Sequence, residues 1–133
     1  MPRLVAWLWT APNTLLGLAA GLVLLAGGAR ARVMEGALEF GGGAIGRALA
    51  DRTPPIRFRA MTLGHVILGA SEADLDVARR HEQVHVRQYE RWGPLFLPAY
   101  LLSSAWQLVT GRRCYRDNYF ERQAYDHCAR TLR

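Results

Sequence analysis

The fold is decided by residues 71–94, which read SEADLDVARRHEQVHVRQYERWGP. Ser71 is a preferred helix N-cap, and Asp74, three residues later, completes a capping box with the shorter acid. At the other end Gly93, followed by proline, is a typical helix stop. The stretch therefore predicts one helix over residues 72–92.

The residues before this helix favour extended structure. Residues 56–69 alternate or run apolar, and residues 65–68 are rich in β-formers, so one or two strands are predicted there. Further upstream, an alternating run at 38–40 predicts a strand, the glycines at 41–43 a flexible loop, and 51–55 a turn.

Two more helices are predicted after the stop. Residues 95–109 are an uncharged run of 15, too short to span a bilayer but suited to a buried or interfacially inserted helix. Gly111 ends this helix. Asp117 or Asn118 then caps a last helix that runs towards Leu132.

The N-terminal segment has the composition of a membrane helix. Residues 4–29 carry no charge in 26 positions, enough to cross a hydrocarbon core of ~30 Å with some tilt. Trp7 and Trp9 suit an interfacial anchor, and Pro12 with Asn13 predicts a kink. The sequence thus predicts a transmembrane or membrane-inserted helix.

Two alternatives to a retained membrane crossing stay open. Residues 14–28 could dip into the bilayer without crossing it, and residues 29–31 have the small-x-small form of a signal-peptide cleavage site. The length of the apolar run and the arginine inside that site favour a retained helix. We therefore predict a membrane segment at 1–32 and a folded domain at 33–133.

Charge gives expectations about location and partners. Arg30 and Arg32 follow the apolar segment and only Arg3 precedes it, which places the folded domain on the cytoplasmic side of the cell membrane. All 17 basic residues are arginines, and the net charge is +6. Because they are scattered among carboxylates, they favour contact with a lipid bilayer over nucleic-acid binding. Cys114 and Cys128 are predicted to be ordinary thiols, with a single bridge as the alternative in an oxidising compartment.

The predicted central helix carries a potential metal-binding motif. His81 and His85 are four residues apart, so both imidazoles project from one face and can reach a zinc ion at ~2.0–2.1 Å. Glu82 lies about 100° round the helix, where it could act as a general base without binding the metal. The alternative is a pair of histidines that are hydrogen-bonded on a packed face.

A catalytic zinc site needs a third protein ligand from another element. Glu121 is preferred because it lies near the start of the last helix, and because Ala124, one turn on, would let that helix approach closely. Its alternative role is a solvated glutamate favoured by the helix dipole. The full set of downstream candidates is Asp117, Glu121, Asp126 and His127.

These residues resemble a known class of enzymes. HEQVHVRQ at 81–88, followed by ERQA at 121–124, is similar to the gluzincin metallopeptidases, which carry HExxH on one helix and a glutamate ligand on a later one. The short spacing of 36 positions from His85 to Glu121 most resembles the minimal members, the minigluzincins. The resemblance covers roughly residues 61–126.

The resemblance implies an α+β fold with a zincin-like core, a Zn²⁺ cofactor and hydrolysis of a peptide by activated water, with Glu82 as general base. It also implies that the strand at 61–69 has an exposed edge that pairs with extended substrate, with Gly64, His65 and Val66 as substrate-binding residues. The expected substrate is a peptide or protein, hydrophobic or close to the membrane.

One position departs from the family pattern. Larger gluzincins often place an aspartate four positions after the ligand glutamate, whereas this chain has Tyr125 there and Asp126 next to it. The carboxylate that orients a ligand histidine is therefore unassigned. The group that stabilises an oxyanion is also open among Tyr89, Tyr100, Tyr115, Tyr119, Tyr125, His65 and His127.

Two functions compete with membrane-associated proteolysis. The metal site could serve a non-hydrolytic zinc-binding membrane protein with a partner-binding or sensor role. Alternatively, the arginines could bind nucleic acid or a lipid surface without any metal.

Overall fold

The computed structural model describes residues 2–52 and 58–133, and these form an α+β fold with a four-stranded mixed sheet. In chain order the elements are α1 (Arg3–Trp9), α2 (Ala11–Ala26), β1 (Arg30–Met34), β2 (Ala37–Gly41), α3 (Gly43–Ala50), β3 (Ala60–Leu63), β4 (Val66–Gly69), α4 (Glu72–Trp92), α5 (Phe96–Val109) and α6 (Tyr119–Thr131). A 3₁₀ turn, Gly93–Leu95, joins α4 to α5. The predicted α+β class is confirmed.

The strands follow the order β1-β2-β4-β3. The β1–β2 and β3–β4 pairs are antiparallel, and β2 runs parallel to β4. The strands expected at 38–40 and within 56–69 are present. Residues 53–57, which belong to the turn expected at 51–55 and to the start of the predicted strand region, lie outside the described residues. Where a flexible glycine loop was expected at 41–43, helix α3 begins at Gly43 instead.

Each face of the sheet is covered by one helix, and the alternation of side chains along the strands explains why. One face packs on α2 through Leu24, Phe40, Val66 and Leu68. The opposite face packs on α4 through Ala37, Ile67, Leu75 and Val86. A third cluster, Tyr89, Phe96 and Phe120, joins α4, α5 and α6.

The N-terminal segment differs from the single kinked helix that was expected. The chain turns by 78° between α1 and α2, and the break falls at Thr10 rather than at Pro12. Pro12 lies in the first turn of α2, where the backbone N–H that proline lacks would have no partner within the helix. No single helix in the described residues is long and apolar enough to cross a bilayer, whereas α1 and α2 together meet those criteria despite their bend.

Helix α2 is an integral layer of the domain. A Cβ atom on Gly17 would lie 2.7 Å from Val66 Cβ, and one on Gly21 would lie 2.5 Å from the Phe40 ring. The two glycines therefore allow the helix to approach the sheet closely. The predicted domain boundary after residue 32 falls inside β1 (Arg30–Met34), which pairs with β2.

We expect Gly17→Val to lower the free energy of unfolding by about 2 kcal/mol or more, because the added side chain would meet Val66 and the Leu63 carbonyl oxygen. Denaturant unfolding in mild detergent measures this effect. Ala19→Val, at an exposed position of the same helix, is the control for the helix propensity of valine. An equal loss of stability in both variants would contradict the close packing of α2.

The ends of α4 follow the sequence prediction. Ser71 Oγ accepts a hydrogen bond from Asp74 N–H at 3.0 Å and donates to Asp74 Oδ2 at 2.8 Å. The short aspartate thus bonds the cap hydroxyl instead of the cap backbone N–H. Gly93 ends the helix with a φ of 58°, in the left-handed region that glycine adopts readily.

A buried carboxylate fixes α4 against the sheet. Glu39 on β2 is fully buried and accepts hydrogen bonds from Arg32 at 2.9 Å and from Arg79 of α4 at 2.9 and 3.1 Å. Two guanidinium groups compensate the desolvation of this charge. The helix that bears the HExxH motif is therefore held in a defined position over the sheet.

Candidate metal centre

Three side chains converge between α4 and α6. His81 Nε2 lies 2.8 Å from Glu121 Oε2, and His85 Nε2 lies 3.1 Å from His81 Nε2 and 3.3 Å from Glu121 Oε1. Candidate ligand atoms of the three residues all lie within 4.8 Å of one another. The structure thus brings together the three predicted metal ligands, close enough to bind one metal ion.

Local sequence explains how α6 delivers Glu121. Asn118 caps the helix, because its Oδ1 accepts from Phe120 N–H at 2.9 Å. The Asn118 amide also donates to Tyr100 O and to Ser104 Oγ, which ties the start of α6 to α5. Of the two caps considered, Asn118 is the one used. Ala124 is fully buried, as expected for a small residue where helices approach closely.

Gln88 orients the second histidine. Its amide nitrogen donates to Phe120 O at 3.1 Å and to Gln123 Oε1 at 2.7 Å, which leaves its Oε1 facing His85 Nδ1 at 2.8 Å. That oxygen can only accept, so Nδ1 carries a proton, and a neutral His85 presents the lone pair of Nε2 to His81 and Glu121. Gln88 takes the orienting role for which no carboxylate could be assigned from the sequence.

Hydrogen bonds hold the Glu121 carboxylate in its charged form. Burial alone would raise the pKa of the Glu121 carboxyl, but hydrogen bonds from His81 and His85 outweigh it and hold that pKa well below its usual range. Burial also lowers the pKa of His85, yet the hydrogen bond and charge of Glu121 raise it overall. Tyr100 donates a hydrogen bond to Glu121 Oε1 at 2.6 Å and fixes the carboxylate further.

Glu82 lies beside these groups and contacts the edge strand. Its carboxylate accepts a hydrogen bond from Thr62 Oγ1 of β3 at 2.6 Å. Burial raises the pKa of Glu82, and the positive charge of His85 and the Thr62 bond only partly oppose this effect. A raised pKa makes this carboxyl group a stronger proton acceptor than an ordinary glutamate, as a general base requires.

Two clefts reach the centre, one along the length of β3 and one beside its first residue, Ala60. The first has a volume of about 120 Å³ and is lined by Thr62, Leu63, His85, Tyr100 and Glu121. The second has a volume of about 530 Å³ and is lined by Val77, His81, Tyr125, Cys128 and Leu132. Ala60, Glu82 and Tyr115 line both clefts. The potential metal ligands are therefore reachable from an open groove.

The residues expected to bind substrate lie elsewhere. Residues 61–69 belong to the β3–β4 hairpin rather than to one strand, and β3 is one of the two edge strands of the described sheet, with β1 at the other edge. Val66 is in the interior strand, paired on both sides, and the His65 carbonyl accepts a hydrogen bond from Leu38 N–H. Gly64 packs against Thr14. The exposed-edge role that the resemblance implied falls to Ala60–Leu63 instead of Gly64, His65 and Val66.

His65 belongs to a separate polar cluster under the N-terminal helices. It is 2 % exposed, its Nδ1 is 2.8 Å from Thr10 Oγ1, and its Nε2 is 2.8 Å from Glu90 Oε1. The Trp7 ring stacks on it at 4.5 Å between centroids. This environment accounts for His65 as a structural residue.

The other candidate ligands and oxyanion-stabilising residues lie at different distances from the metal centre. Asp117 pairs with Arg113, while Asp126 and His127 line a separate arginine-rich groove on α6. Tyr125 packs its ring on His81, 4.6 Å between centroids, in place of the family aspartate. Tyr119 is exposed, whereas Tyr100, Tyr115 and the buried Tyr89 line the smaller cleft. Both cysteines are free thiols, and Cys114 is exposed.

Sequence reasoning missed Gln88 and Thr62. Gln88 lies three residues after His85 and so shares its helix face, which is a signal that could have been used. Thr62 could not be found in the same way, because its contact with Glu82 depends on the register of β3 against α4.

No protein-family model, curated protein or solved structure matches the chain.

Gln88→Leu is expected to weaken zinc binding about 10- to 100-fold, because His85 would lose the partner that fixes its tautomer and ring orientation. Zinc titration against a competing chelator measures the change. Gln83→Leu is the matched control, since Gln83 is another buried glutamine of α4 that hydrogen-bonds Met34 O away from the centre. Equal weakening in both variants would point to a general effect on α4.

Proposed function

We propose that this protein is a membrane-associated zinc metallopeptidase. The observation that carries the proposal is the convergence of His81, His85 and Glu121 beside Glu82, which the edge strand β3 contacts through Thr62. Two imidazoles and a carboxylate are the ligand set of one class of catalytic zinc sites, which keep a further position open. The open groove at the centre supports a hydrolytic role over a purely structural one.

The donor set fits zinc. Imidazole nitrogen suits zinc, copper, iron and nickel, while calcium and magnesium prefer all-oxygen sites. Because His85 Nδ1 is bonded to Gln88, its Nε2, which lies beside His81 Nε2 and Glu121 Oε1, is the nitrogen available to a metal ion. When bound, zinc would polarise a peptide carbonyl and lower the pKa of a water molecule.

The residues around the centre have defined tasks in this reaction. Glu82 accepts the proton of the attacking water and passes it to the leaving amine. Thr62 holds the Glu82 carboxylate on the groove side of α4, and Tyr100 keeps Glu121 in place. The edge of β3 offers backbone groups that bind an extended peptide by main-chain hydrogen bonds.

Membrane association is part of the proposal. Its support is the apolar outer surface of the α1–α2 pair, where Leu4, Leu8, Leu15, Leu16 and Leu22 are exposed. Exposed apolar surface of this extent is typical of contact with lipid or a partner protein. The cytoplasmic orientation of the domain stays a prediction.

Hydrolysis of a peptide library by zinc-loaded protein tests the proposal. We expect cleavage that stops when a chelator removes the metal and returns when zinc is restored. A protein that binds about one zinc per chain but cleaves no peptide, soluble or membrane-tethered, would instead favour the non-hydrolytic zinc-binding role. Faster cleavage of the tethered form would support action near the membrane.

A further inference from the structure

Helix α5 has its polarity reversed relative to a helix in water. Within Phe96–Val109, every residue that is exposed is apolar: Pro98, Leu101, Leu102, Ala105, Trp106, Leu108 and Val109. At 100° per residue these positions fill one continuous arc of about 160°. Water-facing helices normally carry charged or polar residues on that side.

The polar side chains of α5 face inward, and three of them hydrogen-bond to α6 or to its cap residue, while the Oε1 of the buried Gln107 has no partner in the described part of the chain. Tyr100 bonds Glu121, Ser103 Oγ accepts from Tyr119 N–H at 3.0 Å, and Ser104 Oγ accepts from the Asn118 amide at 2.7 Å. Gln107 is 5 % exposed. The apolar face is therefore free because the inner face of α5 already packs against α6.

The α1–α2 pair shows the same reversal and adjoins α5. The exposed residues of α2 are all apolar, while Asn13 and Thr14 are buried and hydrogen-bonded. Asn13 Nδ2 donates to Gly93 O at the 3₁₀ turn that begins α5, and the Trp9 ring packs on Gly93. The α1–α2 pair and α5 are thus joined through the turn at Gly93.

Positive charge follows directly after the apolar face. Arg112 and Arg113 are exposed three and four residues beyond the end of α5, where Trp106 and Val109 are exposed as well, and Arg113 also pairs with Asp117. An apolar helix flanked by arginine and tryptophan is the pattern of a segment at the level of anionic lipid headgroups. At 14 residues, α5 is about 21 Å long, shorter than the ~30 Å hydrocarbon core, so it suits an in-plane position.

We propose that α5 lies in the interface of an anionic lipid bilayer, with Arg112 and Arg113 on the headgroups. The inference rests on the proposed membrane association and extends it to a second contact, independent of metal chemistry. Because Phe96, Leu97 and Tyr100 of the same helix line the smaller cleft, this contact places the metal centre at the bilayer surface.

A fluorescent label on Leu102→Cys, in the full chain with Cys114→Ser and Cys128→Ser, tests the position of α5. We expect vesicles of phosphatidylcholine with phosphatidylglycerol to shield the label from aqueous iodide at least fivefold better than phosphatidylcholine alone, on the order of the effect of headgroup charge. A label on Val77→Cys, an exposed apolar residue of α4, is the matched control and should stay accessible.

The arginine contribution is tested in the same labelled protein. Arg112→Gln with Arg113→Gln should make the label accessible to iodide again, with a change in accessibility on the order of tenfold. Arg47→Gln with Arg130→Gln removes the same charge from other exposed sites and should leave the shielding intact.

Three results would overturn the proposal. The label could stay accessible with either vesicle, it could be equally shielded by the neutral vesicles, or it could be shielded before any vesicle is added, as a second copy covering α5 would cause. The measurement is made on the Glu82→Gln protein, with and without zinc. Failure of the peptidase proposal therefore leaves this readout unaffected.

Discussion

Glu82→Gln is expected to lower the rate of peptide hydrolysis by about 10²- to 10⁴-fold, because the amide cannot accept the proton of the attacking water. The zinc content should not change, since the ligand set is His81, His85 and Glu121. Thr62 can still donate to the amide oxygen, so the packing at β3 is kept. Single-turnover kinetics and metal analysis on the same sample measure both quantities.

A matched control separates this effect from a general loss of charge. Glu72→Gln changes an exposed glutamate in the first turn of the same helix and should retain full activity. If Glu82→Gln cleaves as fast as the parent protein, Glu82 is not the general base. If it loses its zinc, the residue serves the metal site rather than the proton transfer.

Glu121→Ala is expected to remove most of the stabilisation that zinc gives to the fold. A ligand present at a thousand times its dissociation constant raises the free energy of unfolding by about 4 kcal/mol, and this gain should nearly vanish in the variant. The reason is that Glu121 is the ligand that joins α6 to the two histidines of α4. Thermal unfolding across a zinc titration measures the difference.

Two further variants keep this prediction specific. Glu121→Gln preserves the shape of the buried side chain and its contact with Tyr100, so it separates loss of a ligand from loss of packing. Asp126→Ala removes a rival acidic candidate on the same helix, which lines a different groove, and should keep the full response to zinc. A zinc response that survives Glu121→Gln and disappears with Asp126→Ala would reverse the assignment.

The sequence predicted the parts of the fold whose determinants are local. Ser71 and Gly93 set the ends of α4 by capping chemistry, and Asn118 was one of two caps considered for α6. The proximity of His81 and His85 followed from the helix repeat alone, because residues four apart share one face of a helix. Glu121 could be predicted as the third ligand because the small residue Ala124 indicated a helix surface that packs closely.

The parts that could not be predicted depend on contacts between elements distant in sequence. The break at Thr10 places α2 over the sheet, where Gly17 and Gly21 make room, whereas the sequence indicated one membrane helix kinked near Pro12. Because a hairpin turn at Gly64 divides residues 61–69 into two strands, the exposed sheet edge lies at β3 rather than at the predicted Gly64, His65 and Val66. Helix α3 was missed because its glycine-rich start is also typical of a loop.

X-ray absorption at the zinc edge of the loaded protein tests the central claim most directly. We expect nitrogen and oxygen neighbours at ~2.0–2.1 Å, with the outer-shell scattering of two imidazoles from His81 and His85, and no sulfur. This pattern should lose one imidazole in His81→Ala. A sulfur neighbour at ~2.3 Å would contradict it, because Cys128, which lines the cleft beside His81, would then be a ligand in a closed site.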